Sequence, residues 1–137
     1  MDKPSTIKQN KMASTTFETT VDEKLDVEYG YIYCISCLTW NGRPYKDDEC
    51  GIYNVGWSKE DPMTVITNIE EEANYPTKHN LEFAKRVKKP KQNGGIVHSI
   101  LDDYDIRMDK GFEYFKCQKT QIYDLFNVIS GSWFVEP

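Results

Sequence analysis

The sequence predicts an α+β domain, a small mixed β-sheet covered by helices, in the order β-β-α-β-α-β-α. Three observations carry that expectation. Two apolar, aromatic runs at residues 30–38 and 51–57 flank a polar connection containing Asn41-Gly42, a strong hairpin signal. Three later segments place apolar residues at helical spacing, and two shorter ones between them read as strands. The first run is apolar on both alternating faces, so it belongs in the middle of a sheet with cover on each side.

The elements follow in order. Asp61 is a candidate N-cap and Pro62 suits the first helical position. Met63, Val65, Ile66, Ile69 and Ala73 then mark one helical face, which Tyr75-Pro76 should end. The acidic run Glu70-Glu71-Glu72 lies largely off that face and reads as a solvated surface, with a metal site as the alternative. Leu81, Phe83 and Val87 alternate with polar neighbours as a third strand with one wet face. Gly94-Gly95 lead into a second helix bearing Ile96, Val97, Ile100, Leu101 and Tyr104. Residues 107–111 read as a loop and residues 112–117 as a fourth strand. Ile122, Leu125, Phe126 and Ile129 mark a third helix that Gly131 is placed to end.

At 137 residues the chain is long enough for one domain with a modest core. Residues 28–137 form it. Residues 1–27 are polar, lack apolar periodicity and read as a flexible arm that cannot offset its own chain entropy. No apolar run is long enough for a bilayer, so no membrane partner is expected and an intracellular location is.

Lysine and arginine total 17 against 22 acidic residues, a net charge of -5. That balance argues against a protein that grips nucleic acid chiefly through phosphates. The one basic cluster, residues 85–91, contains Lys85, Arg86, Lys88, Lys89 and Lys91. It reads either as a phosphate-binding edge or as a sheet edge kept soluble by lysine and proline. Cys34 and Cys37 have CxxC spacing, but they lie within a strand, where residues three apart face opposite ways. Buried free thiols are the expected state, with a metal site or a disulfide as the alternative.

The paired runs also carry a resemblance. Gly30-Tyr31-Ile32-Tyr33 and Tyr53-Asn54-Val55-Gly56-Trp57-Ser58 resemble the two signatures of the GIY-YIG nuclease superfamily, in the branch found in phages and large DNA viruses. The literal Gly51-Ile52-Tyr53 is a decoy, since no second motif follows it. His98 in the second helix and Glu113-Tyr114-Phe115 extend the resemblance over roughly residues 28–130.

In active members of that family a glutamate on a later helix holds one divalent metal, a tyrosine helps activate water, and an arginine on the first helix meets the phosphate charge. The resemblance puts the tyrosine at Tyr33. Asn54 stands where the second motif has tyrosine or lysine, and it supplies neither phenolate nor cation. The arginine would fall near Thr64, Val65 or Ile66, yet the three arginines are Arg43, Arg86 and Arg107. Lys59 is the nearest cation and lacks the planar fork of a guanidinium. The glutamate would fall one turn before His98, near Gly94, where there is no carboxylate. His98 itself reads either as a structural residue or as a ligand or acid-base group.

The leading expectation is therefore a non-catalytic binding or structural protein on a GIY-YIG-like scaffold. It would be encoded by a large DNA virus or phage, need no cofactor, and join other proteins in a larger assembly through its arm, in host cytoplasm or nucleus or in the virion. The alternative is a divergent DNA endonuclease or DNA-binding domain. It would use Tyr33, His98 and Glu113 with Mg²⁺ or Mn²⁺ and hold nucleic acid on Lys85, Arg86, Lys88, Lys89 and Lys91. A third reading is an interaction domain stabilised by zinc at Cys34 and Cys37.

Overall fold

The apolar run at residues 30–38 lies at the centre of the computed structural model, which describes residues 28–47, 49–74, 76–104, 106–108 and 113–137. The arm predicted at residues 1–27 lies outside the described residues. Strand β1, Tyr29–Cys37, has every residue from Ile32 to Cys37 buried. A short ribbon follows, β2 (Thr39–Trp40) with β3 (Arg43–Pro44). Asn41 and Gly42 close it with φ of 55° and 78°, the positive pair that a tight hairpin turn requires. The Asn-Gly turn thus closes this ribbon, and a longer connection leads on to β4, Gly51–Ser58.

Helix α1, Pro62–Glu72, begins as predicted: the Asp61 carboxylate accepts the Met63 amide at 2.8 Å with Pro62 in the first turn. It ends at Glu72, before the predicted Tyr75-Pro76 stop. Then come β5 (His79–Lys88), α2 (Pro90–Asp103), β6 (Tyr114–Cys117), α3 (Lys119–Asn127) and β7 (Ser132–Val135).

The main sheet has the order β6-β4-β1-β5-β7 and is antiparallel at every pairing, so the α+β class holds while the mixed sheet is corrected. The reason is topological. Helix α1 joins β4 to β5, which run in the same direction, but β1 lies between them and opposes both. The helical crossover therefore creates no parallel neighbours.

Each face of the sheet has its own core. Ile32, Cys34, Val55, Phe83 and Val87 pack with Val97 and Leu101 of α2 and with Ile122 and Phe126 of α3. Tyr33, Ile35 and Ala84 pack with Ile66 of α1. Central-strand cover was thus legible in the sequence. The edge role given to residues 85–91 fails for Lys85 and Arg86, where β7 pairs with β5 and Lys85 is buried. Its ammonium donates to the carbonyls of Phe126 at 2.8 Å and Ile129 at 2.6 Å, closing the end of α3. Trp133 covers it, with Lys85 Nζ 4.9 Å from the ring.

Three further boundaries differ. Helix α2 begins at Pro90, so Gly94 and Gly95 lie inside it. Helix α3 stops at Asn127, which leaves Ile129 and Gly131 beyond it. Strand β7 has no counterpart in the predicted order. Among the described residues no helix is long and apolar enough to cross a membrane.

Candidate functional site

Strands β1 and β4 set Tyr33 opposite Gly56. Glu113, just before β6, is held there by its backbone, whose carbonyl accepts the Val55 amide at 2.8 Å. A Cβ at Gly56 would lie 2.5 Å from Glu113 Oε1 and 2.7 Å from the Tyr33 hydroxyl. Gly56 is thus the gap in which phenol and carboxylate meet.

His98 reaches the neighbouring Val55 of β4 from α2. Its Nε2 hydrogen-bonds the Val55 carbonyl. A carbonyl only accepts, so Nε2 carries a proton and donates it. The ring lies between Trp57 and Phe115, with centroids at 5.1 Å and 5.4 Å. Arg107 adds a cation: its Nε donates to Asp102 Oδ1 at 2.7 Å, and its guanidinium lies 4.8 Å from the Phe115 centroid. Of the three predicted residues the structure brings Tyr33 and Glu113 side by side at Gly56, while His98 packs against Val55, Trp57 and Phe115 and reaches Glu113 only through its charge. The charge of Arg107 is felt at Glu113 as well.

The electrostatics are those of a half-buried site. Burial raises the Tyr33 phenol far above its ordinary range and the negative Glu113 adds to the rise, so the group stays protonated near neutrality. Burial also raises Glu113, opposed by His98, Arg107 and Tyr33. Such a pair holds a proton well; it does not supply a phenolate.

The positions that resemblance ties to metal and phosphate hold other side chains. Gly94 faces Trp57 so closely that a Cβ there would lie 2.2 Å from a carbon of the indole ring. On α1, Thr64 is exposed and Ile66 is in the core. Lys59 is ion-paired to Glu28 at 2.6 Å. Asn54 lies across from Tyr114, and its buried Oδ1 has no partner among the described residues. Magnesium and manganese prefer several oxygen ligands. Among the described residues Glu113 lies against Tyr33 and Asp102 is ion-paired to Arg107, so the donor set fits such an ion poorly. Among the described residues no three His, Cys, Asp or Glu side chains are grouped to hold a metal.

The basic cluster lies elsewhere. Arg86 is exposed and stacks over Tyr29 and Tyr31, at 5.4 Å and 5.6 Å, while Lys88, Lys89 and Lys91 are exposed around the start of α2. Lys85 is turned inward. The CxxC cysteines are both buried, and all four cysteines are free thiols.

Two features escaped the sequence reading. Arg107 stood out only as one of three arginines. A second polar chain links α1, β5 and β6: Glu70 accepts the His79 amide at 2.8 Å, and His79 Nε2 lies 3.2 Å from the Tyr114 hydroxyl. Burial lowers the His79 pKa, which favours the neutral ring. Nothing in the spacing of these residues marks them as neighbours. Comparison with known protein families, with curated proteins and with solved structures finds no match.

Proposed function

We propose that this chain is a non-catalytic binding protein on a GIY-YIG-like scaffold, virally or phage-encoded and acting inside a larger protein assembly. One observation carries the reading: the indole of Trp57 fills the space that a side chain at position 94 would need, where the resemblance puts the metal-binding glutamate. The half-buried Tyr33–Glu113 contact supports it, because a carboxylate set against a phenol that stays protonated is a structural arrangement as it stands. An acidic chain adds weight against a phosphate-driven role.

A second reading, a divergent metal-dependent DNA endonuclease or DNA-binding domain, draws on the contact of Tyr33 with Glu113 at Gly56 and on the charges of His98 and Arg107 felt at Glu113. The deciding experiment incubates purified protein with supercoiled plasmid and Mg²⁺ or Mn²⁺ and runs gel shifts on the same samples at two salt concentrations. The non-catalytic reading expects intact plasmid. Nicking that disappears in Glu113→Gln and Tyr33→Phe would replace it with the nuclease reading, and salt-sensitive shifting without nicking would make the chain a DNA-binding domain.

A further inference from the structure

Strand β7 flanks β5 along only part of its length. It pairs from Val135 to Ser132 against Ala84 to Arg86, while β5 continues to Lys88. Gly131 turns the chain away there, packed so tightly that a Cβ would lie 2.4 Å from the Arg86 carbonyl oxygen. Beyond the turn, between the end of β5, α2 and the segment after α3, opens a groove of about 670 Å³. Its walls expose apolar side chains: Val128 is 80% exposed, Ile96 46% and Tyr29 47%. Contiguous apolar exposure of this kind marks contact surfaces.

The charge of the groove runs against that of the chain. Arg86 and Lys88 stand on it and, among the described residues, no acidic one lines it, in a protein of net charge -5. The opposite sheet edge is guarded differently: β6 is short and carries an exposed Lys116, a usual defence against unwanted pairing. At the groove the Lys88 carbonyl is already taken by the Asn93 side chain at 2.6 Å. Strand pairing there is therefore brief, and the apolar walls and two cations must supply most of the recognition.

We infer that this groove receives a short, extended acidic peptide of a partner protein. Its apolar side chains at alternate positions rest on Ile96 and Val128, and the carboxylates between them meet Arg86 and Lys88. The inference rests on the binding reading above and names its partner by chemistry.

The test uses the full chain and follows the Ile96 and Val128 methyl signals by NMR. One probe is a capped heptapeptide of alternating valine and glutamate; the other is its valine–lysine counterpart. The glutamate peptide should give saturable shifts, with the lysine peptide at least about tenfold weaker. Val128→Glu, at a side chain that packs on little, should weaken the glutamate peptide by about tenfold or more. Lys88→Glu should bring the two peptides to within about threefold of each other. Equal binding of both peptides, or no saturation up to about 1 mM, overturns the inference. So does a concentration-dependent shift of the same methyls without peptide, which assigns the groove to a second copy of the chain. Plasmid nicking would remove the non-catalytic reading and leave these titrations untouched, so the two can fail separately.

Discussion

Glu113 and the paired glycines of α2 show how single residues set the chemistry of the cluster. Because burial raises the Glu113 pKa above its ordinary 4.5, the folded chain holds that proton more tightly than the unfolded chain. Its contribution to stability is fully present below 4.5 and is lost as pH rises through the raised value. Urea midpoints over a pH series should therefore show a flatter acid-to-neutral dependence in Glu113→Gln. At neutral pH that variant should be at least as stable as the parent. A less stable variant with an unchanged slope would mean that the carboxylate is not buried as described. Gly94 and Gly95 are neighbours with opposite expectations. Gly94→Ala drives a methyl into the Trp57 ring and should cost about 1–3 kcal/mol. Gly95 has nothing within 4 Å of an added Cβ, so Gly95→Ala should stabilise α2 by about 0.5–1 kcal/mol. Equal effects in denaturant melts would contradict the packing of α2 on β4.

At the scale of elements, the informative difference is β7. Its four residues, Ser132–Val135, are too few to show a period, and Trp133 and Phe134 are both apolar, so alternation is invisible. They serve opposite faces. Trp133 stacks on Tyr123 at 5.8 Å and meets Phe83 at 6.0 Å, over the core of α2 and α3; Phe134 packs edge-on to Tyr31 at 4.9 Å. Trp133→Ala should cost roughly 2–4 kcal/mol by thermal or chemical unfolding, because it opens the Phe83 cluster and uncovers Lys85. A loss under about 0.5 kcal/mol would show that β7 adds little to the sheet. Helix α2 teaches the complementary lesson. A Gly-Gly pair reads as a helix entrance, yet Pro90 starts the helix and Gly94 is there for close approach to Trp57.

Over the whole molecule three of the four thiols are buried. Cys34, Cys37 and Cys117 are buried, and burial raises the pKa of each, Cys117 to about 12, whereas Cys50 is half-buried. A thiol reagent at neutral pH should label Cys50 of the native protein quickly and the other three only after unfolding. Fast labelling of Cys34 would contradict its place in the core. Much of this architecture was already in the sequence: the central strand in the doubly apolar run at residues 30–38, the start of α1 in Asp61-Pro62, and a tight turn in Asn41-Gly42. Those features are local, fixed by backbone preference and by which face of a segment is apolar, so the chain records them within a few residues. The meeting of Tyr33 and Glu113 at Gly56, the closing of position 94 by Trp57, the inward turn of Lys85 and the groove beside β5 were decided by the tertiary structure alone. Periodicity says that a face is buried and not against what, and these contacts join residues tens of positions apart, whose nearness depends on strand order and register.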